Sequence, residues 1–375
     1  MIYIVLLIIL NYAVLIVAFI IGFDKIKLYK SDSKIAVNSF SIIIPFRNEF
    51  NNLPELLSSL NKLDYPIELF EIIFVDDDSN DNSVEIIKKI VSKSNIDIKV
   101  ISNKRNSNSP KKDAIETAIL QSKFDWIVTT DADCIIPEKW LKTFDNFIQI
   151  NNPKMICGPV TYKVNTSFLN NFQLLDFISL IGSTIGSFGI NKPFLCNGAN
   201  LCYSKKAFNN VDGYKGNNNI SSGDDIFLLE KMTTNFPNQV HFLKSKNAIV
   251  ITKPQSTFKE LVSQRIRWAS KGKFYKNWFG KYVGISIFLT NFTLVLLLLL
   301  SLLNLFHWKN ILFFFVIKFF TDFVIILKTL IFVNQSKNII YYPITAFLYP
   351  FFIVFIVFMS FFKKQFEWKK RISKA

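Results

Sequence analysis

The sequence predicts an α/β domain with a mostly parallel sheet, flanked by transmembrane helices. Three observations lead to this fold class. The 375-residue chain is 50% hydrophobic yet 19% charged, so it is too apolar for an ordinary soluble protein and too charged to lie wholly in a membrane. Long apolar stretches lie near both ends of the chain. Between them, short β-branched runs alternate with stretches of helical spacing.

Cysteine and histidine are scarce, which excludes several kinds of site. Four cysteines in a chain of this length do not make a disulfide scaffold, and two histidines leave little for a His-rich zinc site or a Ser/His triad. Any catalysis must therefore rest on carboxylates. The net charge of +16 comes mainly from lysine, because the 44 basic residues include only five arginines. It favours a surface close to a membrane over nucleic-acid binding.

The N-terminal segment is a predicted transmembrane helix. Residues 1–23 are almost uninterrupted apolar sequence, long enough for a spanning helix of roughly 20 residues. A signal peptide is disfavoured because no basic segment precedes the apolar run. Lys25, Lys27 and Lys30 follow directly, in a linker over residues 24–38. By the positive-inside rule, these lysines place the next domain in the cytoplasm.

Residues 39–250 show the alternation of strands and helices that is typical of a doubly wound sheet. The β-branched runs at 41–45 and 72–75 indicate buried parallel strands, and each run ends in polar residues. Leucine and isoleucine spacing predicts a helix after each of them. The predicted strands are 41–45, 72–75, 98–101 and 126–129, and the predicted helices are 52–63, 83–91 and 113–121.

Two acidic clusters follow predicted strands. Asp77 lies in FVDDDSND (74–81), where a carboxylate can accept hydrogen bonds from a base or a ribose; a solvated loop is the plain alternative. Asp131 and Asp133 lie in TTDADC (129–134). Two carboxylates on one turn are suited to share a divalent cation, Mg²⁺ or Mn²⁺, which also binds substrate phosphates.

A third acidic cluster, SGDDIFLL (222–229), opens a predicted amphipathic helix. Its two acids, Asp224 and Asp225, would stabilise the helix start by complementing the helix dipole. The sharper hypothesis makes one of them a general base, since no histidine competes for that role.

Residues 251–280 are predicted to form an amphipathic segment at the membrane surface, and they contain QRIRW (264–268). In a chain that otherwise prefers lysine, the closely spaced Arg265 and Arg267 indicate that the planar guanidinium is needed. A helix lying on the bilayer would explain the cations and Trp268 without any binding function. The functional hypothesis places an arginine on a diphosphate and the indole ring against a sugar or a lipid.

The C-terminal part carries about three predicted transmembrane helices over residues 281–362, at roughly 282–306, 311–333 and 339–362. Lys318 and Asp322 are four apart in the middle helix, so they are predicted to pair inside the bundle. A basic tail, 363–375, follows. Three spans after a cytoplasmic domain would put this tail outside, against the positive-inside rule. Either one C-terminal segment is re-entrant or interfacial, or the charge rule fails here.

Together, SIIIPFRNE (41–49), FVDDDSND, TTDADC, GDDIFLL and QRIRW occur in the order found in family 2 inverting glycosyltransferases with the GT-A fold, a Rossmann-like α/β fold. The chain resembles in particular the membrane-bound branch of that family, which has a Q-x-x-R-W motif. Two further segments, KKDAI (111–115) and NGAN (197–200), also resemble the family. The resemblance covers roughly residues 39–280.

The resemblance implies a role for each matching residue. At the nucleotide-sugar donor it implies Pro45, Glu49, Asp77, Lys111, Asp131 and Arg267. At the acceptor it implies Asn200, Asp224, Gln264 and Trp268. Asp133 would be the direct metal ligand with Asp131 beside it, and Asp225 would be the catalytic base. The chain departs from the family at Asp224, where the family has Glu, and at Asp78, where it often has Gly.

The implied activity is transfer of a sugar from a nucleotide diphospho-sugar, with a UDP-sugar favoured, to a hydroxyl of a membrane lipid or lipid-linked acceptor. Candidate acceptors are a glycerolipid, a ceramide-like lipid and a polyprenyl phosphate. A processive polysaccharide synthase is the main alternative, and a non-catalytic membrane partner subunit is the second. Nucleic acid is not an expected partner. We expect a multi-pass protein of the cell membrane with a cytoplasmic catalytic domain.

Overall fold

The structure is a computed structural model of the chain. It describes residues 2–31, 34–92, 94–217, 220, 223–362, 365–368 and 371–374, with side chains up to residue 362. The helices are α1 (Ile2–Lys25), α2 (Leu53–Leu60), α3 (Ser83–Val91), α4 (Pro110–Gln121), α5 (Trp140–Asn151), α6 (Phe168–Gly189), α7 (Lys205–Asn210), α8 (Asp224–Asn235), α9 (Phe258–Ser270), α10 (Trp278–Leu302), α11 (Trp308–Phe332) and α12 (Tyr342–Phe362). The strands are β1 (Phe40–Phe46), β2 (Phe70–Asp76), β3 (Asp97–Ser102), β4 (Trp126–Thr129), β5 (Met155–Cys157), β6 (Val160–Tyr162), β7 (Leu201–Ser204), β8 (Val240–Phe242), β9 (Val250–Thr252), β10 (Gln365–Trp368) and β11 (Arg371–Lys374).

A seven-stranded sheet forms the centre of the domain, in the order β3-β2-β1-β4-β7-β5-β8. Strands β3, β2, β1 and β4 pair in parallel, whereas β7 runs antiparallel to both of its neighbours. The predicted mostly parallel sheet is therefore confirmed. β-Branched and aromatic residues predominate in β1 and β2, which are buried over nearly their whole length, as expected for strands in the middle of such a sheet.

The strand order changes direction between β1 and β4, which is where an open α/β sheet leaves a crevice at its carboxyl edge. β1 ends at Phe46, its neighbour β2 ends at Asp76, and β4 ends at Thr129. The loops that carry the first two acidic clusters therefore start at this one edge.

Helix α6, which the sequence analysis did not identify, is long and apolar but does not leave the domain. It follows β6 and precedes β7, so both of its ends lead into strands of the domain. Phe177 of α6 stacks on Tyr162 of β6 with ring centroids 4.5 Å apart. A Cβ added at Gly189 of α6 would lie 1.9 Å from the carbonyl oxygen of Gly22 in α1, so the backbones of the two helices are in direct contact. α6 is thus a layer between the domain and α1.

Five helical segments among the described residues are long and apolar enough to cross a membrane: α1, α6, α10, α11 and Ser336–Phe362, which includes α12. Far from the domain, the start of α1, the end of α10 and the start of α11 pack together in a cluster of Val5, Ile9, Leu294, Leu297 and Phe314. α10 therefore leads away from the domain and α11 leads back.

The near ends of α10 and α11 are tied to the domain by hydrogen bonds. Asn277, just before α10, donates its side-chain amide to the carbonyl of Pro193 at 2.9 Å. Gln335, just after α11, donates to the carbonyl of Tyr162 at 2.8 Å. Within the bundle, Lys318 and Asp322 form the predicted ion pair, with Nζ and Oδ2 2.6 Å apart.

Helix α12 touches the domain at more than one place. Just before it, the Tyr341 hydroxyl donates to the carbonyl of Thr166 at 3.0 Å. Its second half packs against α6 and α9 in a cluster of Phe172, Leu261, Ile266, Phe352 and Ile356. Of the basic tail, residues 363, 364, 369, 370 and 375 lie outside the described residues, and β10 and β11 make up the rest.

Lys244 fastens the end of α1 to the domain. Its ammonium donates to the carbonyls of Phe23 at 2.7 Å and Ile26 at 3.0 Å, and it lies 3.7 Å from the centre of the Phe23 ring. The last carbonyls of a helix have no partner within the helix, and they carry the negative end of its dipole. Burial lowers the pKa of Lys244 to about 8, while the two carbonyls accept hydrogen bonds from its charged form.

Candidate active site

The crevice at the carboxyl edge of the sheet opens into one cavity of about 1590 Å³. The cavity runs from the ends of β1, β2 and β4, past the start of α8 and along α9, to helices α1, α11 and α12. Every residue predicted for the site except Asn200 lines it, namely Pro45, Glu49, Asp77, Lys111, Asp131, Asp133, Asp224, Asp225, Gln264, Arg267 and Trp268.

Asp77, at one end of the cavity, is held by a set of cationic and amide donors. Arg105 Nε and Asn103 Nδ2 each donate to Asp77 Oδ1 at 2.7 Å. Arg47 donates to the Asp77 carbonyl at 2.6 Å. The sequence analysis did not single out Arg47 or Arg105. Because arginine is rare in this chain, each arginine could have been treated as a candidate site residue from the sequence alone.

Pro45 and Glu49 form the wall next to Asp77. Pro45 is in β1 and pairs in register with Val75 of β2, so its position is fixed by the sheet. Glu49 is only 8% exposed; Asn52 Nδ2 donates to its Oε2 at 2.6 Å, and its own N–H donates to Ser83 Oγ at 2.9 Å. The loop after β1 is therefore anchored to the start of α3, close to the first acidic cluster.

Asp131 and Asp133 follow β4 and present carboxylates to the cavity. Asp131 Oδ1 already attracts a cation, the ammonium of Lys111, at 2.7 Å. Among the described residues, no group of three or more metal-ligating side chains lies close enough to hold an ion alone. Two hard oxygen donors fit Mg²⁺ or Mn²⁺, since such ions commonly take one or two carboxylates and complete their shell with water and substrate phosphates.

Asp224 and Asp225 begin α8 on the other side of Lys111. Lys111 Nζ lies 3.2 Å from Asp224 Oδ2, so this one ammonium joins the second and third acidic clusters. The Gly198 N–H donates to Asp225 Oδ2 at 3.3 Å. A Cβ at Gly198 would lie 2.9 Å from Asp224 Oδ2 and 3.2 Å from Lys111 Nζ, so only glycine leaves room for this arrangement.

The two neighbouring acids have opposite pKa shifts. Burial, and then the charge of Asp224, raise the pKa of Asp225 above its usual value. Burial also opposes ionisation of Asp224, but Lys111 and Lys271 outweigh it and lower the pKa of Asp224. A raised carboxylate pKa next to an ionised partner is the pattern expected of a general base.

Helix α9 carries the QRIRW residues along the cavity. A capping box fixes its start, because the Thr257 hydroxyl accepts from the Glu260 N–H and the Glu260 carboxylate accepts from the Thr257 N–H. Arg265 is turned toward α6, where its Nε donates to Asp176 at 2.6 Å. Its guanidinium carbon lies 4.2 Å from the centre of the Trp268 ring and so holds the indole in place.

Comparison with known proteins identifies the part of the domain that carries the first two acidic clusters. Residues 41–211 match the profile of Glycosyl transferase family 2. The chain carries a family 2 glycosyltransferase domain. The recognition made from the motifs is thereby confirmed, although the match does not extend to the Q-x-x-R-W segment.

Two relatives of the glycosyltransferase domain have curated names. The chain is 27% identical over 257 residues to poly-beta-1,6-N-acetyl-D-glucosamine synthase of Staphylococcus epidermidis, covering 67% of this chain and 58% of that protein. It is 36% identical over 109 residues to poly(ribitol-phosphate) beta-N-acetylglucosaminyltransferase TarS of Staphylococcus aureus, covering 29% of this chain and 18% of that protein. The chain therefore spans little more than half of one relative and a fifth or less of the other.

A solved structure shares the fold of the glycosyltransferase domain and its flanking helices. The mannosyltransferase PcManGT from Pyrobaculum calidifontis, in complex with GDP-Man and Mn²⁺, matches with a TM-score of 0.57 over 92% of this chain and 99% of that one. The sequences are only 12% identical, so the likeness concerns the fold. The predicted GT-A fold class is confirmed.

Asn200, which was predicted for the acceptor site, is the one predicted site residue that the structure does not bring to the cavity. It is fully buried and lies outside the cavity lining. Its Oδ1 accepts from Trp140 Nε1 at 3.0 Å, and its Nδ2 donates to the carbonyls of Pro159 at 2.7 Å and Ala248 at 2.8 Å. With these bonds made, the side chain joins three segments of the domain and has a structural role.

The far end of the cavity enters the helix bundle and is polar. Lys318 and Asp322 line it, together with Tyr12 and Tyr349. The Tyr12 hydroxyl donates to Asp322 Oδ1 at 2.6 Å, and the Lys318 ammonium lies 5.5 Å from the centre of the Tyr349 ring. One continuous space therefore connects the acidic clusters of the glycosyltransferase domain with charged residues between apolar helices.

Proposed function

We propose that the protein is a membrane-bound inverting glycosyltransferase. It would move a sugar from a nucleotide diphospho-sugar to a hydroxyl of a lipid or lipid-linked acceptor. The observation that carries this proposal is the convergence of Asp77, Asp131, Asp133 and Asp225 on one cavity that continues among apolar helices. A soluble acceptor would need no such continuation.

The donor is proposed to lie between β1 and α9. Asp77 would contact the nucleotide base, with Pro45 and Glu49 as the pocket wall. Lys111 and Arg267 would face the diphosphate, because both present positive charge to the cavity. The two curated relatives are named for N-acetylglucosamine, so UDP-N-acetylglucosamine is the first donor to test.

Asp133, with Asp131, is proposed to hold Mg²⁺ or Mn²⁺. Such an ion offsets the negative charge that develops on a leaving diphosphate. The family resemblance implies Asp133 as the more direct ligand, with Asp131 beside it and paired with Lys111. Removal of the ion by a chelator should therefore abolish transfer and weaken diphosphate binding.

The chemical step is a single displacement in which Asp225 acts as the base. Its carboxylate takes the proton of the acceptor hydroxyl, and the oxygen forms a bond to the anomeric carbon. The bond from that carbon to the diphosphate oxygen breaks on the opposite face, so the configuration inverts. Trp268, Gln264 and Asp224 line the same stretch of cavity and would position the acceptor.

A processive polysaccharide synthase is a second candidate, and two observations favour it. The first curated relative is named as a polysaccharide synthase. The cavity also reaches a charged pair and two tyrosines inside the bundle, and ionisable groups within membrane helices commonly mark substrate paths. The proposed donor, metal ligands and base are the same for both candidates.

The proposed location is the cell membrane, with the catalytic domain in the cytoplasm, where nucleotide sugars are made. The five long apolar segments support a membrane protein, and the lysines after α1 support this orientation.

Thermal stabilisation by sugar nucleotides tests the donor proposal. Purified full-length protein should be stabilised by UDP-N-acetylglucosamine with Mn²⁺, more than by the nucleoside alone, because ligand binding to the folded state raises the melting temperature. Membranes that contain the protein should then transfer the labelled sugar. Label that migrates as a small lipid supports the lipid acceptor, and label in polymer supports the synthase. Failure to bind any sugar nucleotide would overturn the proposal.

A further inference from the structure

Two cations lie on one face at the end of α9. α9 ends at Ser270, and Lys271 keeps a helical backbone with φ −71° and ψ −25°. Lys271 therefore lies one turn after Arg267, since residues four apart on a helix are neighbours. Both side chains line the cavity, and the sequence analysis gave no role to Lys271.

The other basic groups around the acids already have partners. Lys111 pairs with Asp131 and Asp224, and Arg265 pairs with Asp176. Lys112 donates to two backbone carbonyls, those of Asn217 and Ile220, at 2.7 and 3.0 Å.

Arg267 and Lys271 differ from these groups in the partners of their charged ends. Within the part of the chain that the structure describes, neither charged group forms an ion pair or a side-chain hydrogen bond. Two neighbouring cations therefore face the same space, and neither is ion-paired with a carboxylate among the described residues.

Lys271 is also strongly buried. It is 9% exposed, and its Cδ would lie 3.6 Å from a Cβ placed at Gly223, so its stem packs along the start of α8. Burial lowers the pKa of Lys271, and Arg267 lowers it further, although Asp225 partly offsets both. Burial likewise lowers the pKa of Arg267. Cations placed in this way are stabilised when an anion enters between them.

We propose that Arg267 and Lys271 form a two-cation subsite that binds a phosphoryl group, with Lys271 as a phosphate-binding residue one turn beyond the Q-x-x-R-W segment. The subsite depends on the proposed function only for the source of that group. The donor diphosphate is one source, and the phosphate of a lipid acceptor is the other. The stem of Lys271 packs at Gly223, directly before Asp224 and Asp225 at the start of α8, so the subsite borders the proposed base.

Binding measurements on the full-length protein test the subsite. The variants are Lys271→Met, Lys271→Arg and the control Lys276→Met, whose side chain is exposed and outside the cavity lining. For each, the affinities for UDP and for uridine are measured in the presence of Mn²⁺, after the melting temperature has shown that it is folded. Loss of a charge-assisted hydrogen bond to phosphate should weaken UDP binding by roughly tenfold to a hundredfold. Uridine binding should not change, and Lys271→Arg should retain part of the affinity.

A second arm identifies the source of the phosphoryl group. Transfer of labelled sugar is compared between a polyprenyl phosphate and diacylglycerol as acceptors in vesicles. If Lys271→Met leaves UDP affinity intact but raises KM for the polyprenyl phosphate alone, the subsite takes the acceptor phosphate. If neither UDP affinity nor this acceptor KM changes, the subsite is wrong. A shift of the pH profile alone, with both affinities intact, would show that Lys271 acts only on Asp225, and this too would overturn the proposal.

The subsite and the proposed function can fail independently, and the measurements distinguish the two cases. A wild-type protein that binds UDP through Lys271 but transfers no sugar would keep the subsite and lose the glycosyltransferase. If the wild type transfers sugar and Lys271→Met changes neither UDP affinity nor acceptor KM, the glycosyltransferase would stand and the subsite would be wrong.

Discussion

Asp224 and Asp225 are adjacent in the chain, yet their surroundings shift their pKa values in opposite directions. Asp224 is stabilised in its charged form by Lys111, which also holds Asp131. Asp225 is partly buried next to that charge, and both the burial and the charge raise its pKa. This difference comes from side chains that are more than a hundred residues apart in the sequence. The family resemblance already implied Asp225 as the base and Asp224 at the acceptor, and the structure adds the opposite pKa shifts of the two acids.

The pH dependence of transfer tests whether the charge of Asp224 raises the pKa of Asp225. Asp225 must be ionised to act as a base, so activity should fall as the pH drops through its raised pKa. Asp224→Asn removes the charge that raises the pKa of Asp225 and frees Lys111 to lower it. The acid limb of kcat/KM against pH should therefore move to lower pH in the residual activity of this variant. A limb that stays in place or moves to higher pH would contradict the account.

Asn200 shows what a matching motif cannot decide. Position in the NGAN segment placed it at the acceptor, but nothing in a sequence indicates to which side of a loop a side chain turns. The same segment supplied Gly198, whose missing side chain leaves space for Asp224 and Lys111. The motif therefore led to a loop that reaches the cavity through Gly198 and not through Asn200.

Asn200→Ala should destabilise the protein and leave the chemistry intact. It removes three hydrogen bonds inside the core and leaves buried carbonyls and the Trp140 indole without their partner. An unsatisfied buried group costs about 1–3 kcal/mol. The melting temperature should fall, while the KM values of the folded fraction stay close to those of the wild type. A large rise in acceptor KM with no loss of stability would restore the original prediction.

Among the elements, α6 was the one that sequence patterns did not reveal. Its hydropathy, 1.2, is far below the 3.1 of α1, because polar residues interrupt its apolar sequence. In the structure those residues have partners: Asp176 pairs with Arg265, and Gln173 donates to the carbonyl of Gln255 at 3.0 Å. A buried helix with satisfied polar groups gives neither the period of an amphipathic helix nor the signal of a span.

The contact of α6 with α1 depends on glycine. A Cβ at Gly186 would meet the Phe19 carbonyl oxygen at 2.4 Å, so Gly186→Ala must push the helices apart. Overpacking of this kind costs about 1–3 kcal/mol. Gly284→Ala is the matched control, since a Cβ there meets no atom within 4 Å. We expect a lower melting temperature for Gly186→Ala and an unchanged or higher one for Gly284→Ala. Equal melting temperatures would show that the close approach does not matter.

The contacts of α12 bear on the side of the membrane where the basic tail lies, which three C-terminal spans would place against the positive-inside rule. α10 leads away from the domain and α11 leads back. α12 begins at Tyr342, directly after the residue whose hydroxyl bonds to Thr166, and it packs on α9. If α12 lies along the interface, three crossings remain, and the basic tail stays on the cytoplasmic side with the domain. The positive-inside rule would then hold throughout.

Labelling of intact cells with a membrane-impermeant maleimide tests this topology. Asn304→Cys, between α10 and α11, should react from outside the cell, and Ala375→Cys should react only after the membrane is opened. The wild-type protein provides the background of its own four cysteines. External labelling of Ala375→Cys in intact cells would mean that α12 crosses.

At the scale of the whole molecule, the sequence predicted the fold class and the convergence of the acids for a physical reason. Acidic clusters after parallel strands meet at one sheet edge, because parallel strands end on the same side. The extension of the cavity into the bundle had no counterpart in any local pattern. It arises from the packing of α1, α6, α9 and α12, which depends on contacts distant in sequence.

The central claim is that Asp225 is the base of a sugar transfer carried out in this cavity. The most direct measurement is the rate of labelled sugar transfer by Asp225→Asn and the wild type in the same reconstituted membranes, with UDP affinity measured alongside. Loss of a general base should lower the rate by about 10²-fold or more. UDP affinity and the melting temperature should change little. Near wild-type transfer by a folded Asp225→Asn protein would contradict the account.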